Sequence, residues 1–286
     1  MNKELIINDV DQSAKFYFLE KPWRRIFLPI ILVIVWEWFC FLLFKKYQNL
    51  LEDGTIIIFI PVIIGAIYYR YVIRTFRSKF FKQFAKENGF IFKKSGSVDE
   101  REGFIFGLGH SKAVTNVVEG NYIGYPMKLF NYTYITGSGK SRREHNFTIF
   151  ELKINTSLPR IILKSKSLSF DSFDLINLFK FEPKHIKLEP EFDKYFDLTA
   201  PDGYEMEALQ IFSPDFLNYL IKEAEEICLD LSMDTVNIYD DRFIDTREEL
   251  VKMFNISKEI THKLGPLLKR LKDDFEVLHP YYQGNL

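Results

Sequence analysis

The stretch TGSGKS, Thr136 to Ser141, carries residue types that a phosphate-binding loop uses. Such a loop reads G-x-x-x-x-G-K-[ST] between a strand and a helix; its backbone amides cradle phosphate and its lysine reaches the terminal phosphates. Gly139-Lys140-Ser141 supplies the end of that pattern, but Tyr134 stands where the first glycine belongs. The flanks also differ. Tyr122 to Ile135 is rich in aromatic and strand-forming residues, and after the loop Phe150, Leu152 and Ile154 alternate with Glu151 and Lys153. That is a strand period, so the segment predicts a β-hairpin and no nucleotide partner. Its basic tip, Lys140, Arg142 and Arg143, reads as a solvated turn, with contact to phosphate on a lipid or another partner as the competing reading. Gly107-Leu108-Gly109 is a weaker dinucleotide signal, because Lys112 occupies the third glycine position.

Five carboxylates, Asp193, Asp197, Asp202, Glu205 and Glu207, fall close together in sequence and could serve acid–base chemistry. No histidine accompanies them: His110, His145, His185, His262 and His279 are scattered, with no H-x-x-x-H pair. There is no G-x-S-x-G nucleophile elbow. Cys40 and Cys228 form neither a C-x-x-C site nor a disulfide framework. The sequence therefore assigns no catalytic residue, no metal ligand and no cofactor. The acids read as capping and surface charge, with an unrecognised hydrolase as a competing reading.

The elements that would position these groups start with two apolar runs. Ile26 to Phe44 has the length to cross a hydrocarbon core of about 30 Å. Ile56 to Ile73 is a second such run, ending in Tyr68, Tyr69 and Arg70. Together they predict a transmembrane helical hairpin over 26–73, closed by the turn at Glu52-Asp53-Gly54. Lys21, Arg24 and Arg25 precede it, and Arg74, Arg77, Lys79, Lys82 and Lys86 follow. The positive-inside rule then puts both termini in the cytoplasm of a multi-pass inner-membrane protein, with 1–25 as a cytosolic segment. Glu37, between Trp36 and Trp38, reads as a membrane-interface carboxyl or a subunit contact.

Residues 74–89 predict a basic amphipathic connecting helix that continues the second run and packs Phe76, Phe80, Phe81 and Phe84, on one face, against the domain; in the competing reading it rests on anionic lipid, with Arg74, Arg77, Lys79 and Lys82 as possible lipid contacts. Over 90–286 the pattern predicts a cytosolic α+β domain, an antiparallel sheet with packed helices. Strands are expected at Phe90–Lys93, Phe104–Phe106, Ala113–Val118, Pro159–Lys164 and Thr235–Tyr239, with a turn at Glu119-Gly120-Asn121. Ser213-Pro214 opens a helix whose apolar stripe runs on to Leu231, and Thr246 with Glu249 caps another that Gly265-Pro266 should kink or end. The net charge of −1 carries no nucleic-acid signal.

The stretch from Leu188 to Ile221 resembles an uncharacterised bacterial membrane-protein family. The resemblance rests on Leu188, Glu189, Glu191, Phe192, Phe196, Asp202, Glu205, Ala208, Pro214, Phe216 and Leu220. It implies two N-terminal spans and a cytosolic domain, and it supplies no catalytic residues. The function expected is a membrane-anchored, non-enzymatic binding or scaffold protein in contact with the lipid bilayer and with a protein partner or a second copy of itself. A subunit of a membrane complex or small channel, with Glu37 at a helix–helix interface, is the competing reading.

Overall fold

In a computed structural model of the chain, the described residues are 28–46, 55–98, 103–167 and 184–278. The chain divides into two units. One holds α1 (Leu28–Lys46), α2 (Thr55–Asn88) as far as Gln83, and Asp245–Arg247. The other holds Phe84–Ile244 and the chain from Glu248 onward.

In the first unit the predicted hairpin is corrected. Among the described residues no helix is long and apolar enough to cross a membrane. This removes the two transmembrane helices, the multi-pass inner-membrane placement and the topology read from the flanking charges. The physical reason is visible in α2, which does not stop at Ile73 but continues as one helix through Arg74, Arg77, Lys79 and Lys82. Within it the apolar Ile63 to Tyr71 are exposed and already include the charge of Arg70. Val72 is then buried, as are Phe80 and Phe81. In α1 the helix carries Glu37 near its middle and ends on Lys45-Lys46.

The second unit is built on a seven-stranded antiparallel sheet: β1 (Ile91–Gly96), β2 (His110–Tyr122), β3 (Tyr125–Thr136), β4 (Arg143–Ser165), β5 (Lys184–Ile186), β6 (Phe196–Ala200) and β7 (Ile227–Asp240). The order is β1-β2-β3-β4-β6-β5, and β7 also pairs with β4. With 23 residues, β4 is the organising strand. Its first half pairs with β3 from Arg143 to Leu152, its last residues pair with β6, and β7 runs antiparallel along it from Thr148 to Leu163. The register slips between Lys153 and Leu158, and Met233 on β7 adopts φ 53° nearby. Such an irregularity changes which face the following side chains take.

One face of the sheet carries Val114, Phe130, Tyr132, Ile149, Cys228 and Tyr239, and the turn Phe104–Gly107 closes over it. On another part of the sheet the ring of Phe254 packs against Phe84, Phe90, Tyr122 and Phe150, with centroids 4.8 to 6.4 Å away. Phe254 belongs to α5 (Arg247–Leu278). Helices α3 (Glu205–Ile211) and α4 (Pro214–Ala224) complete the α+β arrangement. Ile211, Phe212 and Phe216 meet Leu229, Leu231 and Val236 in an apolar crevice too narrow for water.

Several local expectations change. Phe104–Phe106 is not a strand but a 3-10 turn, buried on the sheet. Glu119-Gly120-Asn121 lies inside β2, and the reversal falls at Ile123-Gly124, both with positive φ. Gly120 serves packing rather than turning, since a Cβ there would lie 2.3 Å from the Phe90 ring. The apolar stripe from Leu217 to Leu231 is not one helix: α4 ends at Ala224 and Ile227 opens β7. Nor does Gly265-Pro266 end α5, whose buried stripe of Leu250, Met253, Ile256, Ile260 and Leu264 keeps helical spacing up to that point.

Candidate functional site

The most convergent polar group in the second unit lies under the Phe104–Gly107 turn. Cys228, Asp230 and Asn237 are fully buried, and so is Tyr239. All four come from β7, before and after the irregularity at Met233, which lets residues of both halves reach one face. Asp230 Oδ2 accepts the Phe104 backbone N–H at 2.7 Å and the Tyr239 hydroxyl at 3.1 Å. The turn comes this close because Gly103 has no side chain. Its φ is +137°, and a Cβ there would lie 2.5 Å from the Tyr239 oxygen and 3.1 Å from Asn237 Nδ2.

The electrostatics of this group suit structure rather than proton transfer. Burial pushes the Tyr239 phenol well above its ordinary range, and the neighbouring Asp230 charge adds to that. Burial pushes the Cys228 thiol up as well, followed by Asp230, with Lys164 opposing. At neutral pH the phenol and the thiol keep their protons, so neither is an activated nucleophile or base. The arrangement fastens a loop to a sheet. Sequence reasoning passed over Asp230 and Tyr239; their signal was an acid and a tyrosine at strand spacing among apolar neighbours, which takes meaning only once Gly103 is seen beside them.

The carboxylates that the sequence singled out do not converge on one point. Asp193 and Asp197 face Lys166, at 3.7 and 3.3 Å. Asp202 lies 3.5 Å from Lys184, which also binds Glu205. The hydrogen bond from Lys184 holds Glu205 below the usual carboxylate range. Divided between two lysines, these four acids have the pairing of surface charges rather than that of an acid–base pair, while Glu207 on α3 pairs with neither lysine and buries Oε2.

The stretch that carried the family resemblance, Leu188 to Ile221, opens with a packed turn and runs on through β6 and α3 into α4. Phe192 and Phe196 are buried, and the Phe192 N–H donates to the Glu189 carbonyl. Asp202 and Glu205 follow β6, and Pro214 is the first residue of α4.

The loop TGSGKS joins β3 to β4 as a hairpin, with Thr136 opposite Arg143. Gly139–Ser141 forms a short 3-10 turn, and Ser138 and Ser141 cap it reciprocally. Its Lys140, Arg142 and Arg143 are exposed. His110 Nε2 lies 3.0 Å from the Gly137 carbonyl and ties the loop to the start of β2.

In the first unit, Trp36 and Trp38 are exposed on α1, with the Trp36 ring 6.5 Å from that of Phe39. The Glu37 backbone shares that helix; its side chain lies outside the described residues. The four basic residues of α2 separate. Arg74, Lys79 and Lys82 are exposed, and the Lys79 ammonium sits 5.0 Å from the Phe76 ring centroid. Arg77 is only 12% exposed and is engaged by Asp245.

No family model matches the sequence, and no curated protein matches it. That agrees with the resemblance to an uncharacterised family, while the two membrane spans which that family implies are not supported. Among solved structures, the chain is similar to the mycobacterial trehalose monomycolate transport factor A, TtfA, with a TM-score of 0.50. Sequence identity is 10%, and the match covers 66% of this chain and 94% of that one. At so low an identity, what the two proteins share is a fold.

Proposed function

We propose that this chain is a non-enzymatic binding or scaffold protein. Its α+β unit supplies the rigid body, and its helical unit supplies the surface that meets a protein partner. The observation that carries this reading is the exposed apolar and aromatic surface of α1 and α2. Trp38 is 67% exposed, Tyr71 65% and Ile67 62%, with Ile34, Ile63 and Ile64 close behind. An apolar surface of this kind left in water is costly and marks an interaction site. The fold shared with a protein called a transport factor leans the same way.

A lipid surface is the second reading, favoured by the exposed Arg74, Lys79 and Lys82 directly after the apolar Ile63–Tyr71 stretch.

The test is light scattering on the purified full chain, with vesicle flotation in parallel. A protein partner surface predicts self-association or dependence on a co-purifying protein, lost in Ile67→Asp/Tyr71→Asp, with no flotation. Flotation that depends on anionic lipid and on Lys79 and Lys82 selects the lipid reading. A monodisperse monomer that ignores vesicles rejects both.

A further inference from the structure

Where β7 ends and the chain turns toward α5, one guanidinium serves several carboxylates. Arg242 Nε lies 3.3 Å from Asp240 Oδ1, and the Arg242 backbone N–H donates to the same oxygen at 3.2 Å. Arg242 Nη2 reaches Glu249 on α5 at 3.1 Å and Glu226, between α4 and β7, at 3.4 Å. Asp241 is adjacent in the chain. The charged groups facing Asp240 are therefore Arg242, which favours its anion, and Asp241 and Glu249, which oppose it. Burial, followed by the charge of Glu226, opposes the ionisation of Asp241, and Arg242 favours it. The segment is anchored beneath by Thr148 of β4, whose hydroxyl donates to the Arg242 carbonyl and accepts the Ile244 N–H, at 2.9 and 2.8 Å.

Three carboxylates thus pair with Arg242 while Asp241 stands beside them in the chain, and the Asp240 side chain, 9% exposed, is the least hydrated of the three. We propose that this corner is a proton-loaded clasp: as the surroundings turn mildly acidic, Asp240 takes up one proton and the β7–α5 connection tightens. A neutral Asp240 still offers Oδ1 to both Arg242 N–H groups, and Arg242 keeps Glu226 and Glu249. The proton removes the cost of a buried anion and its repulsion by Asp241 and Glu249, and it breaks none of the contacts that hold the corner.

Burial pushes the Asp240 carboxyl up to about 6. The folded chain then holds a proton at a pH where the unfolded chain does not. Its contribution to stability is present below an ordinary carboxylate value of about 4, and it is lost as pH rises through about 6.

The experiment follows urea unfolding and amide hydrogen exchange of the full chain between about pH 7.5 and about pH 5.5, for the native protein, Asp240→Asn and Glu249→Gln. Asp240→Asn is expected to be at least as stable as the native chain at the upper pH and to lose the part of the acid-side gain that Asp240 supplies. Amides of residues 240–250, corrected for intrinsic exchange, should gain protection on acidification in the native chain and not in Asp240→Asn. Glu249→Gln removes a charge that opposes ionisation and should move the inflection to lower pH. An Asp240→Asn chain that is weaker at every pH, or that does not fold, would show the ionised pair with Arg242 to be the stabilising element and overturn the proposal. So would an inflection that Glu249→Gln leaves in place.

Discussion

Arg77 on α2 holds Asp245 with a two-pronged contact, Nε to Oδ1 and Nη2 to Oδ2, across 168 residues of sequence. The planar fork of arginine matches a carboxylate in a way that the single ammonium of lysine does not. Arg77→Lys is expected to cost about 1–2 kcal/mol despite keeping the charge, and Asp245→Ala about 2–3 kcal/mol. Urea unfolding of the full chain measures both. A lysine that restores native stability would mean that charge alone, and not the fork, is used.

Thr148 is fully buried, and its hydroxyl binds the carbonyl of Arg242 and the amide of Ile244. Thr148→Val preserves the shape and leaves two backbone groups without this partner. A loss of about 1–3 kcal/mol is expected, seen as a lower denaturant midpoint with an unchanged slope.

Two glycines with positive φ separate strain from crowding. Gly139 has φ +55° and open space around a Cβ, so Gly139→Ala should cost about 1 kcal/mol. Gly103 has φ +137° and a Cβ would strike the Tyr239 hydroxyl, so Gly103→Ala should cost at least about 3 kcal/mol. Equal losses for the two variants, measured side by side by thermal unfolding, would contradict the close approach of the turn.

Lys140 is exposed at the tip of the β3–β4 hairpin. Lys140→Ala should change stability by less than about 0.5 kcal/mol. Magnesium and ATP should leave the thermal midpoint of the native chain where it was. A rise with ATP that Lys140→Ala abolishes would establish a phosphate site.

The Cys228 thiol is buried and held above its ordinary range, first by desolvation and then by Asp230. In a Cys40→Ser background, a thiol reagent near pH 8.5, where a free thiol is about half ionised, should label the folded chain slowly and the denatured chain at once. Rapid labelling of the folded chain would place Cys228 at a surface.

Much of this architecture was legible because some signals are local. The alternation Phe150-Glu151-Leu152-Lys153-Ile154 around a Gly/Ser tip specified the hairpin, because a period of two and a turn need only near neighbours. Ser213-Pro214 marked the start of α4 for the same reason. The phenylalanines at 76, 80, 81 and 84 announced a buried helical face; the last three are buried and Phe76 is half-buried.

Tertiary structure decided the rest, wherever one local pattern permits two outcomes. The apolar residues from Leu217 to Leu231 satisfy a helical period, yet Ile227–Leu231 gain more as a strand, because β4 offers a partner that no neighbour in sequence could announce. Phe104–Phe106 has strand composition but lies as a turn on the sheet, fixed by Asp230 more than a hundred residues away. The basic row of α2 looked uniform until Asp245 claimed Arg77 and left Arg74, Lys79 and Lys82 exposed. The acids Asp193, Asp197, Asp202 and Glu205 looked like one cluster until Lys166 and Lys184 divided them. Composition and period report what a segment can bury, but which partner buries it is a long-range property of the fold, set by contacts that no short window of sequence contains.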